Sequence, residues 1–191
     1  MRTCLVLLFV LHLTASALAQ TQCYPPPNDK NPRECCAIPN VMPPREQFAA
    51  CMQKFPPPPP SASPPAPGTP PPGANCIAEC ILTQQGAISN GAINKDAVAT
   101  QLVSLVGSST DWQTLVKSSV DTCYSQVSSL GSQKDSNGCS SAAGAFLECL
   151  PTNMFKNCPA SSWTANAECE QQKAFLSKGC SIMALMKHPH H

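Results

Sequence analysis

Cysteine is the feature that most constrains this chain, which has 13 of them among 191 residues. The first, Cys4, lies in a segment typical of a secretory signal. There Arg2 precedes the apolar stretch Leu5 to Leu13, and Ala17-Leu18-Ala19 offers a small-x-small cleavage site. We expect residues 1–19 to be removed and the mature protein to be secreted and extracellular. The apolar stretch is too short to span a bilayer, so no stable membrane anchor is predicted.

Loss of Cys4 reduces the 13 cysteines to 12, and an even number in an exported chain indicates disulfides. Zinc is the alternative for closely spaced cysteines, but the predicted folded part has no histidine to complete a mixed site. The sequence therefore predicts six disulfides and no metal site. The cysteines concerned are Cys23, Cys35, Cys36, Cys51, Cys76, Cys80, Cys123, Cys139, Cys149, Cys158, Cys169 and Cys180.

Charge and histidine content exclude several functions. The 12 Lys and Arg residues become 11 without Arg2, which equals the 11 Asp and Glu residues. Nucleic acid is therefore not an expected partner, because binding it needs a basic surplus. His12 lies in the signal, and the other histidines lie within the last four residues, where a general base would lack fixed geometry. We expect no enzymatic activity, no catalytic residues and no cofactor.

The amino-acid composition changes along the mature chain, although a single domain is expected. Residues 20–42 are rich in Pro, Asn and charge and are expected to form an irregular arm held by disulfides. Residues 56–75 form a Pro-rich insert, since 11 of the 17 residues from Pro56 to Pro72 are proline. A spacer loop is favoured over a docking motif for a proline-binding domain. Residues 183–191 are expected to be a flexible tail, and 20–191 one domain.

Helical periodicity and capping residues predict six helices. The one after Ser141 is expected to end before Pro151, because proline disfavours helical geometry in the preceding residue. Strands are not expected, since no clear alternation of apolar and polar residues occurs. The chain is therefore predicted to be all-α. The expected helices run from Arg45 to Lys54, Asn75 to Gln85, Asn94 to Gly107, Thr110 to Val127, Ser141 to Leu150 and Trp163 to Lys178.

The spacing of the cysteines is more specific than their number. The pattern is Cys76-x3-Cys80, a long gap to Cys123, then Cys139-x9-Cys149-x8-Cys158-Pro159-x9-Cys169-x10-Cys180. It resembles the insect odorant-binding proteins, specifically the Plus-C subgroup with extra cysteines. A second likeness is the segment Gly91 to Ala97, which is similar to the family's turn into a helix. The resemblance covers about Gln47 to Ser181, together with the arm.

The resemblance implies a pairing for six of the cysteines, namely Cys51–Cys80, Cys76–Cys149 and Cys123–Cys158. The remaining cysteines would form three further bridges, for which about 15 connectivities are open. They are Cys23, Cys35, Cys36, Cys139, Cys169 and Cys180.

The resemblance also implies a disulfide-stapled helical bundle around an apolar cavity that reversibly binds small hydrophobic ligands, such as odorants or other semiochemicals. Small apolar ligands are then the expected partners, and a chemosensory receptor is a further candidate partner. For each cavity residue the alternative is a place in a solid core. The alternative function is a secreted interaction protein, an inhibitor or defence factor, without a ligand cavity. The candidate cavity residues are Leu102, Leu105, Trp112, Leu115, Val116, Val120, Phe146, Leu147 and Met154.

Overall fold

The structure is a computed structural model that describes residues 23–27, 30–56, 73–89 and 91–186. The expected signal at 1–19, most of the Pro-rich insert and the histidines of the tail lie outside these residues. The described part is helical, which confirms the all-α prediction. Its α-helices are α1 (Pro32–Cys35), α2 (Arg45–Lys54), α3 (Ala74–Gln84), α4 (Lys95–Leu105), α5 (Thr110–Val127), α6 (Ser141–Lys156) and α7 (Ala167–Ser177).

Short elements join the helices. Three 3-10 helices cover Ser128–Leu130, Ala160–Ser162 and Ile182–Leu185. Strands β1 (Ile88–Ser89) and β2 (Ala92–Ile93) pair antiparallel as a small hairpin before α4. The expectation that strands would be absent was therefore wrong at this point. The Asn-Gly sequence between the strands favours a two-residue hairpin turn, a local signal that outweighs the lack of alternation.

Of two predicted helix starts, one is wrong and one is confirmed. Helix α7 begins after Asn166, whose side chain accepts a hydrogen bond from the Cys169 N–H at 2.8 Å, and not at Trp163. Trp163 instead pairs with Cys36 in an isolated β-bridge. Helix α4 does begin after Asn94, as predicted, with the Asn94 side chain accepting from the Ala97 N–H at 3.1 Å. Asparagine caps of this kind satisfy N–H groups that the helix itself leaves free.

Pro151 lies inside α6 and does not end it, so the predicted end at Leu150 was wrong. Proline in a helix interior costs about 3 kcal/mol, because it removes one backbone hydrogen bond and crowds the preceding turn. The residues after it, Met154 and Phe155, are 1% and 0% exposed. Burial of each such side chain contributes about 1.5–3 kcal/mol, which offsets the cost of the proline.

Residues near the end of the described part pack into the core. Ile182 and Leu185 are buried in the core, and the Cys23–Cys180 disulfide lies just before them. Residues 183–185 of the predicted tail belong to a 3-10 helix, and Leu185 contributes to the apolar core; residues 187–191 lie outside the described part.

Helices α5 and α6 form the centre of the fold. Helix α6 packs against both α5 and α3, while α4 lies on α5 and α2 lies on α3. The α3–α6 contact is very close at Gly144, where a Cβ atom on that residue would lie 1.8 Å from Asn75 Oδ1. Only a residue without a side chain fits this crossing as it stands.

Six disulfides staple these helices, as the cysteine count predicted. They are Cys23–Cys180, Cys35–Cys169, Cys36–Cys158, Cys51–Cys80, Cys76–Cys139 and Cys123–Cys149. Cys51–Cys80 agrees with the pairing implied by the resemblance. The expected Cys76–Cys149 and Cys123–Cys158 bridges are corrected.

Packing explains the two corrections. Helices α5 and α6 lie side by side and bring Cys123 and Cys149 to a Cα–Cα distance of 5.7 Å, well within disulfide range. The arm is bound near Cys158, since the Ala37 N–H donates to the Ser162 carbonyl at 3.0 Å, and this places Cys36 beside Cys158. The resemblance implied Cys149 as the partner of Cys76 and Cys158 as the partner of Cys123. In the structure Cys149 is bonded to Cys123 and Cys158 to Cys36.

The loop before α6 brings Cys139 to Cys76. Glu79 of α3 accepts from the Ser140 N–H at 2.7 Å and from Lys134 Nζ at 3.0 Å. Asn75 Nδ2 donates to Asp135 Oδ2 at 3.0 Å. We call this hydrogen-bonded set of Asn75, Glu79, Lys134, Asp135 and Ser140 the loop lock, because it fixes the loop on α3.

Candidate functional site

Most of the predicted cavity residues belong to one continuous apolar core. Six of the nine are buried, and two more pack partly buried against the same cluster. The ninth, Leu105, is 48% exposed and lies on the surface. The six buried residues are Trp112, Leu115, Val116, Val120, Phe146 and Met154; the two partly buried ones are Leu102 and Leu147.

Polar groups within this interior are hydrogen-bonded. Trp112 Nε1 donates to Ser162 Oγ at 3.1 Å, which fixes the indole ring. Ser119 is fully buried on α5 and donates to Asn153 Oδ1 of α6 at 2.9 Å. Buried polar atoms need such partners, so these bonds favour a single arrangement of the α5–α6 interface.

A surface groove of about 520 Å³ lies where the arm enters α2. We call it the arm groove. Three of its lining side chains, Met42, Phe48 and Leu105, are 51%, 37% and 48% exposed. Clustered exposed apolar side chains are typical of binding surfaces. The full lining is Asn40, Met42, Pro43, Pro44, Arg45, Phe48, Gln85 and Leu105.

Three segments that are distant in sequence build the arm groove. Pro44 precedes the first turn of α2, and Arg45 and Phe48 lie three residues apart on one side of that helix. The Cys51–Cys80 disulfide fixes α2 to α3. The Gln101 side chain of α4 donates to the Gln85 carbonyl at the end of α3. These links hold the walls of the groove together.

Charge in the arm groove comes from one side chain. Arg45 is the charged residue of the lining, and it forms no ion pair within the described part of the chain. Glu46, its neighbour in sequence, does not line the groove. The groove therefore combines mostly apolar walls with one positive charge that no described residue pairs.

A second groove of about 480 Å³ lies between α4 and α5, and we call it the helix groove. Two of its four charged residues form an ion pair, in which Lys95 Nζ lies 2.7 Å from Asp121 Oδ1. The hydrogen bond from Lys95 to Asp121, and the charge of that carboxylate, raise the pKa of Lys95. With Asp96 and Lys117 also in the lining, two positive and two negative charges cancel. Ala99, Thr100 and Val103 line the wall between these charges.

One of the nine candidates, Leu105, lines the arm groove, beside Met42, Phe48 and Arg45, which were not among the candidates. None of the six buried candidates lines either groove. Met42 lies in a Pro-rich stretch without periodicity, and Phe48 lies in a helix whose partners were unknown. Their proximity to Leu105 depends on tertiary packing, for which the sequence offers no direct signal.

One cluster has the residue types of a metal site. Sulfur and carboxylate atoms of Cys76, Asp135 and Cys139 lie within 4.8 Å of one another. The two cysteines form a disulfide, so their sulfurs are not thiolate ligands. Asp135 accepts N–H groups from Cys139 and Asn137, and such hydrogen bonds hold the pKa of its carboxyl below the ordinary value of 3.8. The cluster is a structural part of the loop lock.

Among the described helices, none combines the length and the apolar character that a membrane crossing requires.

Comparison with known proteins gives one consistent result. The AgamOBP47-like family model matches residues 68–175, from just before α3 to within α7. General odorant-binding protein 67 of Anopheles gambiae is 30% identical over 160 residues, which are 81% of this chain and 76% of that protein. General odorant-binding protein 68 of the same organism is 29% identical over 188 residues, 93% and 84% of the two chains. Odorant-binding protein 47, also from Anopheles gambiae, is 27% identical over 165 residues, 80% and 71%.

Proposed function

Because the chain belongs to the AgamOBP47-like family of insect odorant-binding proteins, in the Plus-C subgroup, we propose that it is a secreted carrier of small hydrophobic ligands. Binding is reversible, and the ligands are odorants or other semiochemicals in extracellular fluid. The observation that carries the proposal is the arm groove, which presents three partly exposed apolar side chains around about 520 Å³.

The size and walls of the arm groove suit a small apolar ligand. Pockets for such ligands commonly measure roughly 300–1,000 Å³ and are mainly apolar, with a few polar groups that set orientation. A ligand here would cover Met42, Phe48 and Leu105, removing both its own apolar surface and theirs from water. We expect a micromolar affinity, which corresponds to about −8 kcal/mol.

The core around the six buried candidates is the alternative location for a ligand. Their side chains belong to the core cluster between α5 and α6. A ligand there would need the core to open, whereas the arm groove is accessible in the structure as it stands. This difference in accessibility favours the arm groove.

Displacement of a fluorescent naphthylamine probe tests the proposal. We expect the folded protein to bind the probe, and we expect apolar odorants to displace the probe. Phe48→Ala should weaken binding by about tenfold, or about 1.4 kcal/mol, because Phe48 is the bulkiest apolar side chain of the groove lining. Phe55→Ala, at the other end of α2 and outside the groove lining, is the matched control and should bind normally.

Other results would locate the site elsewhere or reject it. If Phe48→Ala and Leu105→Ala bind normally while Met154→Leu does not, the ligand lies in the interior. If folded protein with all six bridges binds no apolar compound, the carrier function is wrong and a secreted interaction protein is favoured. Secretion has its own test: amino-terminal sequencing of protein from insect-cell medium should begin near Gln20.

A further inference from the structure

We propose that the arm groove selects ligands that have an apolar chain and a terminal carboxylate, and that Arg45 recognises the carboxylate. The inference rests on the proposed function and makes it more specific. It names the chemical class of the ligand and the residue that determines specificity.

The charge of Arg45 has no ionic partner among the described residues. Its guanidinium group forms no ion pair in the described part of the chain, although it lines a groove whose walls are mostly apolar. A guanidinium group can donate two parallel hydrogen bonds to one carboxylate. A ligand that covers the apolar walls would also exclude water around this pair, which strengthens the attraction.

Arg45 lies in the same groove lining as the exposed apolar side chains. Arg45 and Phe48 are separated by three residues on α2, so they lie on the same side of the helix. Phe48, Met42 and Leu105 then offer surface for a chain whose head group lies at Arg45. Asn40 and Gln85 are the uncharged polar residues of the lining and leave the charge of Arg45 uncompensated.

The helix groove provides a contrast within the same molecule. It has more charged residues, but Lys95 is already paired with Asp121 at 2.7 Å, and Asp96 would repel an anion. A carboxylate entering there would compete with an existing partner. Charge complementarity therefore favours the arm groove for an anionic amphiphile.

Two ligands with the same alkyl chain and different head groups distinguish the contribution of the head group to affinity from that of the chain. Dodecanoate and 1-dodecanol are titrated against the probe-loaded protein at pH 7, below their aggregation concentrations. We expect dodecanoate to bind about tenfold more tightly. In Arg45→Gln this preference should disappear, with dodecanoate weakened about tenfold and 1-dodecanol unchanged. Arg33→Gln is the matched control, because Arg33 lies on α1 and outside the groove lining.

The possible outcomes are distinguishable. Equal affinities of wild-type protein for the two ligands, or an equal loss of both in Arg45→Gln, would overturn the inference and leave the carrier function intact. Failure of the wild-type protein to bind either ligand, or the probe, would reject both. The wild-type comparison needs no variant, so it decides the question even if Arg45→Gln folds poorly. Arg45→Lys should keep part of the preference, since it retains the charge without the planar fork.

Discussion

The α5–α6 core and the arm groove contain the same kinds of side chain in opposite environments. Phe146 and Met154 in the core are 0% and 1% exposed, whereas Phe48 and Met42 in the groove are 37% and 51% exposed. Apolar composition therefore does not separate residues that stabilise the fold from residues available to a ligand. Position in the fold does separate them. The core residues belong to the apolar cluster around the contact between α5 and α6, while the groove forms where α2 begins and where α3 and α4 end.

The largest expected effect is on the core side of this comparison. Phe146→Ala should reduce the free energy of unfolding by about 3–5 kcal/mol, because it removes a fully buried ring and leaves a cavity. Urea denaturation with all bridges intact measures the loss. A loss below about 1 kcal/mol would mean that the interior is loosely packed, and the contrast with the groove would then fail.

A smaller loss is expected where α3 and α6 cross. Gly144→Ala would place a methyl group 1.8 Å from Asn75 Oδ1, so the helices or the Asn75 side chain must move. Overpacking of this kind costs about 1–3 kcal/mol. The double variant with Asn75→Ala should recover part of the loss, a non-additivity expected of residues in contact. Additive losses in thermal unfolding would contradict the close contact.

The loop lock should give a smaller, pH-dependent effect. Burial raises the pKa of Glu79, but hydrogen bonds from the Ser140 N–H and Lys134 outweigh it, so the pKa lies below the ordinary value of 4.5. Because the folded-state pKa is lowered, this stabilisation is present above about pH 4.5 and is lost as the pH falls through the folded-state value. A partly exposed ion pair such as Glu79–Lys134 contributes about 0.2–1 kcal/mol.

The measurement for the loop lock is urea unfolding at a series of pH values from 7 down to 3. Glu79→Gln should be less stable than wild type at neutral pH and should approach it in acid. A constant difference between the two proteins across this range would show that the Glu79 charge has no role.

The smallest stability effect belongs to the groove. Phe48→Ala should change the free energy of unfolding by about 0.5 kcal/mol or less, since its partly exposed ring is surrounded by other exposed residues. Paired with its expected loss of probe binding, this result would separate binding from stability. A loss comparable to that of Phe146→Ala would show that the groove is part of the core.

Local signals predicted much of the fold. The helical period and caps such as Asn94 located the helices, and the even cysteine count predicted six bridges. Pro151 was misjudged because a local rule was outweighed by the burial of Met154 and Phe155. The partners of Cys76 and Cys123 were misjudged because pairing depends on which helices touch and on where the arm binds. The arm groove was missed for the same reason, since its walls come from residues 40–48, 85 and 105.

The Cys51–Cys80 bridge joins cysteines 29 residues apart, on either side of the Pro-rich insert. A protease that cut the backbone between residues 57 and 72 would therefore produce two polypeptides that stay covalently attached. The fragment bearing α2 would remain tethered beside α3, and the arm would remain joined to the second fragment through Cys35–Cys169 and Cys36–Cys158. Such a nick would be invisible by size until the protein was reduced. A cut in the insert would thus release neither half of the protein.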